Sequence, residues 1–141
     1  MKWEYKDCQY GDIIRVKLGS VYHYGIFASD NEVIAFGLPP TAENLQNQQA
    51  IKVLATDIDV FSCGNLVETA VLTFKERMKR RSPEQTVSLA RERIGEGGYN
   101  IIHNNCEHFV NDVVFGEKVS QQERSVREEW RRFQSERSND Q

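Results

Sequence analysis

With 141 residues, a hydrophobic fraction of 39% and a charged fraction of 28%, the chain has the size of one well-solvated domain. No apolar run approaches the roughly 18 residues that span a bilayer, and no apolar signal segment opens the sequence. A net charge of −3 excludes a globally basic nucleic-acid binder, so no nucleic-acid partner is expected.

Three cysteines without a CxxC pair argue against a disulfide scaffold and against a four-cysteine zinc site. The expected setting is therefore a reducing cytoplasm, with a soluble protein whose thiols are free. Cys8 and Cys63 have no histidine or basic residue beside them, and we expect both to be ordinary thiols.

The first half of the chain predicts antiparallel strands. Ile14, Val16 and Leu18 alternate onto one face, as in a half-buried strand. The stretch after them is rich in the β-branched and aromatic residues that strands favour, and Asp30-Asn31 predicts the turn that follows it. The strands predicted in this way are 13–18, 21–28, 33–36, 51–54 and 68–73, separated in part by a polar loop over 41–50 and an irregular or short helical stretch over 57–64.

A helix is predicted to begin at Ser82. Ser82 and Gln85 form a capping box around Pro83, which suits the first helical position. Val87, Ala90 and Ile94 would share its buried face, and Gly95 would end it.

A second helix is predicted from near Asn104 to Gly116. With Asn104 as N-cap, Cys106 would stand at N2 and Glu107 at N3 of a second capping box. Unpaired N–H groups at a helix start favour negative charge, so the thiol of Cys106 is expected to have a lowered pKa and to act as a nucleophile. The alternative is a small core residue, because Cys106 opens an apolar stripe that continues through Phe109, Val110, Val113 and Val114.

His23 is the candidate partner of this thiol. It lies in an apolar, aromatic strand, where an imidazole needs a partner. A general base for Cys106 must be its neighbour in space and need not be its neighbour in sequence. The alternative is a structural histidine.

Two motifs resemble those of a known family. Asn105-Cys106-Glu107-His108-Phe109-Val110, preceded by Tyr99-Asn100, resembles the cysteine box of the lecithin:retinol acyltransferase-like family. His23-Tyr24-Gly25-Ile26 resembles its H-box, and the likeness runs from about Gly11 to Gly116. It implies an α+β fold, an antiparallel sheet packed with helices, which is a circularly permuted relative of NlpC-type, papain-like thiol hydrolases.

The resemblance also implies chemistry. In the family a cysteine attacks a lipid acyl ester, often of a phospholipid, and the resulting thioester passes its acyl group to water, an amine or an alcohol. Here Cys106 would be the nucleophile, His23 the base, and the backbone N–H of Cys106 an oxyanion donor, with no cofactor. Many members carry a second, orienting histidine where this chain has Ala35, so the third orienting residue is unknown.

Two other functions stay open, and the missing histidine motivates the first of them. One is a catalytically silent binding module, as in some picornavirus 2A proteins, and the other is a thiol amidase or peptidase. A metal site at His103, Cys106 and His108 is not expected, because the spacing lacks a fourth ligand.

The sequence divides into a catalytic domain over 1–116 and a charged, partly helical segment with a frayed end over 117–141. Many vertebrate members of the family end in a membrane anchor, so this charged ending fits a soluble member of bacterial type. A basic run precedes Ser82 and is expected to be a solvated loop, the alternative being peripheral contact with an anionic membrane. The residues of this run are Lys75, Arg77, Lys79, Arg80 and Arg81.

Overall fold

A computed structural model describes residues 1–40, 44–100 and 105–116. The described residues form one six-stranded sheet and four α-helices, which confirms the predicted α+β class. The strands are β1 (Lys2–Glu4), β2 (Asp12–Leu18), β3 (Val21–Ser29), β4 (Glu32–Phe36), β5 (Val53–Thr56) and β6 (Val67–Val71). The helices are α1 (Ile58–Ser62), α2 (Phe74–Lys79), α3 (Pro83–Glu92) and α4 (Cys106–Phe115), with a 3-10 turn at Gln48–Ala50.

The sheet has the order β1-β6-β2-β3-β4-β5, and every neighbouring pair is antiparallel. Strands β2 and β3 form a hairpin through Gly19-Ser20, where Gly19 supplies the positive φ that a two-residue hairpin turn needs. Strand β3 pairs with β2 along nearly its whole length. Its pairing with β4 stops at Ile26 and Ile34, so the stretch Val21–Gly25 has no partner from β4.

Alternation along the strands creates two buried faces. The first face packs against α3 and α4 and contains Ile13, Ile26 and Ile34. The second face carries Ile14, Phe27 and Val33 and is covered by Phe61 of α1. The five residues of the α4 stripe are all buried on the first face, as the period predicts.

Helix α3 begins as predicted, with Ser82 and Gln85 exchanging both capping hydrogen bonds around Pro83. Its predicted end is wrong: the helix stops at Glu92, and Ile94 lies beyond it, 45% exposed. The reason is tertiary. The chain leaves the helix so that the Gly95 N–H donates to the Val53 carbonyl, which extends the edge of β5.

Two elements were not predicted. Strand β1 is too short to show a period, and α2 replaces the loop that was expected for the basic run. Helix α2 carries a capping box of its own, in which Thr73 and Glu76 bond each other's backbone N–H groups. The predicted segment 117–141 lies outside the described residues, as do 41–43 of the predicted loop. Within the described residues no helix is long and apolar enough to cross a membrane.

Gly25 allows Phe61 to approach the sheet, since a Cβ at Gly25 would lie 2.7 Å from the Phe61 ring. We therefore expect Gly25→Ala to cost about 1–3 kcal/mol of unfolding free energy by overpacking. Urea unfolding would measure this loss. Gly97→Ala is the matched control, because a Cβ there meets only one backbone atom at 4.0 Å. Equal losses in the two variants would contradict the close approach.

Candidate active site

The site begins at the first turn of α4, and its cap differs from the predicted one. Asn105, not Asn104, is the N-cap: its Oδ1 accepts from the N–H groups of Glu107 (3.0 Å) and His108 (3.2 Å). The Asn105 N–H in turn donates to His108 Nδ1 at 3.2 Å. His108 therefore completes the capping box in place of Glu107, and Cys106 stands at N1.

The Cys106 thiol lies against the stretch of β3 that β4 leaves unpaired. Its S–H donates to the Tyr22 carbonyl at 3.9 Å, and the Tyr24 backbone N–H donates to the sulfur. In an antiparallel hairpin these two groups point away from β2, toward the side of β3 on which β4 does not pair with this stretch. The sulfur therefore takes the place that a neighbouring strand would otherwise occupy.

Opposing effects act on the pKa of the Cys106 thiol. Burial, with 6% of Cys106 exposed, raises the pKa of its thiol to about 11, and the Glu107 carboxylate raises it further. Backbone N–H groups of Tyr24, Glu107 and Cys106 lower the same pKa but do not offset burial. The expected lowering of the thiol pKa is thus wrong for this resting arrangement, because desolvation outweighs the helix start.

The structure brings the backbone of His23 beside the sulfur, because the thiol contacts the residues on either side of it. The ring points to the second face of the sheet, where it stacks on Phe61 with centroids 4.7 Å apart. It is 1% exposed, and its Nδ1 has no hydrogen-bond partner among the residues that the structure describes. Burial lowers the pKa of His23 to about 4, so the imidazole is neutral.

Ala35 is buried on the second face, the face that also holds the His23 ring. Its methyl group offers neither donor nor acceptor to a histidine on that face.

Sequence reasoning missed an aromatic cluster beside the thiol. Trp3 and Tyr24 meet edge to face at 5.9 Å, and the ring of Tyr22 lies 6.3 Å from that of Tyr24. The guanidinium of Arg15 lies between the rings of Trp3 and Tyr22. The alternation of aromatic residues in 21–28 placed Tyr22 and Tyr24 on one face, but nothing in the sequence put Trp3 beside them.

The remaining candidate residues lie elsewhere. Cys63 is exposed at the end of α1, and Cys8 is half-buried, 3.5 Å from the Thr69 hydroxyl. Burial raises the pKa of the Cys8 thiol. His103 and Asn104 lie outside the described residues.

The basic run divides in two. Arg80 donates to the carbonyls of Gly11 and Arg81, and Arg81 donates to the Asp112 carbonyl, so both belong to the fold. The other three side chains are exposed on α2, namely Lys75, Arg77 and Lys79.

The family model named lecithin retinol acyltransferase matches residues 6–119, which include both motifs and the whole described site. The chain belongs to this family. It is 29% identical over 132 residues to lecithin retinol acyltransferase of Rattus norvegicus, covering 79% of this chain and 56% of that protein. It is 29% identical over 120 residues to phospholipase A and acyltransferase 1 of Homo sapiens, covering 79% and 70%. The chain spans about half the length of the lecithin retinol acyltransferases it matches.

The neutral, buried His23 predicts a pH dependence of stability. Below pH 6.5 the unfolded chain binds a proton that the folded chain does not bind until about pH 4, so folding stability falls between these values. From pH 7.5 to 5 this one group should cost about 2 kcal/mol. His23→Leu should lose that share of the dependence, and at pH 7.5 it should be at least as stable as wild type, because it removes an unpaired nitrogen.

Urea unfolding of both proteins at the two pH values gives the comparison, since all other groups titrate in both. An equal loss of stability on acidification in wild type and His23→Leu would contradict a buried, neutral imidazole.

Proposed function

We propose that this protein is a thiol acyltransferase or phospholipase-type acyl hydrolase that acts on phospholipid-like esters through an acyl–Cys106 intermediate. The observation that carries the proposal is the thiol at N1 of α4, surrounded by backbone N–H groups of Tyr24, Cys106 and Glu107. Family membership and the names of the relatives support the substrate class.

The proposed reaction has two halves. The Cys106 sulfur, having lost its proton to a base, attacks the ester carbonyl, and the oxyanion accepts from the backbone N–H of Cys106. The C–O bond then breaks, and the leaving alcohol takes the proton back from the base. Water, an amine or an alcohol attacks the thioester in the same manner and releases the thiol.

His23 is the proposed base, and in the resting arrangement both it and the thiol are uncharged. With the thiol pKa near 11 and the imidazole pKa near 4, the difference of 7 units makes proton transfer uphill by about 10 kcal/mol in the resting arrangement. A contact between imidazolium and thiolate offsets much of that cost.

The test is acylation itself. Incubation with a short-chain phosphatidylcholine should add one acyl mass to the Cys106 peptide, and Cys106→Ala and His23→Ala should both abolish the adduct. Cys63→Ala is the matched control and should acylate like wild type, since Cys63 is an exposed thiol outside both motifs. The absence of any adduct over several ester classes, under reducing conditions, would contradict the proposal.

A catalytically silent binding module is the second candidate, and the orphaned Nδ1 of His23 beside Ala35 favours it. The two functions differ in the reactivity of Cys106 toward iodoacetamide. An enzyme should show alkylation of Cys106 that depends on His23, whereas a silent module should show Cys106 reacting no faster than Cys63, with or without His23.

For peripheral membrane contact we propose the exposed part of the basic run, together with two apolar side chains of α2. Phe74 and Met78 are 73% and 74% exposed and stand one turn apart, among Lys75, Arg77 and Lys79. This combination suits an anionic phospholipid surface. The contact would tether the domain at a distance from the thiol, because Arg81, just after α2, bonds the Val114 carbonyl, about 12 Å along α4 from Cys106.

Flotation with vesicles of phosphatidylcholine, with and without phosphatidylglycerol, measures this contact. The affinity of the double variant Phe74→Ser/Met78→Ser for anionic vesicles should fall by at least about tenfold. The reason is that each large apolar side chain contributes about 1.5–3 kcal/mol when it is buried. Leu66→Ser is the matched control, since Leu66 is 74% exposed but lies outside α2. A loss of binding with Leu66→Ser alone would place the contact elsewhere.

A further inference from the structure

Arg15 is the most heavily engaged charged side chain near the thiol. It lies in the middle of β2, directly opposite Tyr24 of β3. Its guanidinium carbon is 4.1 Å from the centroid of the Trp3 ring and 3.9 Å from that of Tyr22. Its Nε and one terminal nitrogen donate to Glu68 Oε2 at 3.3 and 3.0 Å.

We call the contacts of Arg15 with Trp3, Tyr22 and Glu68 the Arg15 clamp. They suit a structural role better than the binding of an anion. The Arg15 and Glu68 side chains are only 16% and 15% exposed, so solvent screens their attraction less than that of a surface pair. The guanidinium lies over two aromatic rings, and its charge is balanced by Glu68. A phosphate would have to displace one of these partners.

What the clamp holds is the backbone that carries the thiol. Tyr22 supplies the carbonyl that the Cys106 S–H contacts, and Tyr24 supplies the N–H that donates to the sulfur. The Tyr22 ring rests on the guanidinium, and the Tyr24 ring rests on Trp3, the other ring that Arg15 contacts. Since β4 does not pair with this stretch of β3, side-chain packing takes the place of a second strand.

We propose that Arg15 is a positioning residue for Cys106, which fixes the Tyr22–Tyr24 edge so that the Tyr24 N–H supports the ionised sulfur. The inference rests on the proposed role of Cys106 as nucleophile, but its test does not use an acyl substrate. Without the Arg15 clamp the Tyr22–Tyr24 backbone moves more. The Tyr24 N–H is then directed at the sulfur for less of the time, and the Cys106 thiolate becomes less stable.

The test compares Arg15→Lys with Arg91→Lys. Arg91 is a matched control because it also donates from Nε and a terminal nitrogen to one glutamate, Glu32, at 2.9 and 2.6 Å. That pair joins α3 to β4, away from the thiol. Both substitutions keep the charge and remove the planar, forked group that stacks and bonds in two places.

The readout is the rate at which iodoacetamide alkylates the Cys106 peptide, followed by mass spectrometry as a function of pH. Arg15→Lys should move the profile to higher pH by about half to one unit, which at pH 8 slows alkylation about three- to tenfold. Arg91→Lys should leave it unchanged. Should Arg15→Lys fail to fold, Glu68→Gln replaces it, and the same shift in the same direction is expected.

Equal profiles for Arg15→Lys and Arg91→Lys would overturn the inference. Faster alkylation of Arg15→Lys would also overturn it, because the cluster would then shield the thiol instead of supporting its ionised form. If the profile shifts as expected while no acyl adduct forms in wild type, the positioning role stands and the proposed acyl transfer fails.

Discussion

The site depends on a stretch of β3 that β4 does not pair with. Pairing between the two strands stops at Ile26 and Ile34, and beyond that point Ala35 and Phe36 of β4 pair with Leu54 and Val53 of β5. Strand β3 therefore has no partner from β4 over Val21–Gly25. The first residue of α4 meets that stretch, and its sulfur takes up the hydrogen-bonding groups of Tyr22 and Tyr24. The place of the thiol therefore depends on where the pairing of β3 with β4 stops.

The burial that comes with the position of the thiol keeps it protonated. A helix start surrounded by N–H groups favours a thiolate, yet burial of the same sulfur raises its pKa to about 11. His23 shows the matching effect, since burial against Phe61 lowers its pKa to about 4 and leaves it neutral. Both groups are thus uncharged at rest. A catalytic cycle in this member of the lecithin retinol acyltransferase family would have to create the ion pair when substrate enters.

Five arginines of this chain show how little a residue type says about its role. Arg80 and Arg81 belong to a basic run in the sequence, but they bond backbone carbonyls and hold α2 and α4 to the fold. Arg15 stands alone in a strand and is enclosed by two rings and a carboxylate. Arg77 remains exposed on α2, and Arg91 joins α3 to β4. Only the partners brought by the fold distinguish them.

Local chemistry alone determined much of this protein. The three hairpin strands, the Ser82 capping box and the α4 stripe could be predicted, because each depends on residues within a few positions of one another. The two motifs also identified the family from a few contiguous residues. The cap of α4 shifted by one residue, from Asn104 to Asn105, because His108 serves as the N3 partner that Glu107 was expected to be.

Tertiary structure decided how the site is arranged. Alternation puts His23 and Phe27 on one face of β3 and Tyr24 and Ile26 on the other, but it does not say which face receives α4. The pKa of Cys106 was expected in the wrong direction because desolvation depends on packing partners far away in sequence. The Arg15 clamp joins β1, β2, β3 and β6, so no local pattern could reveal it. Periodicity is a property of neighbours along the chain, whereas burial and charge pairing are properties of neighbours in space.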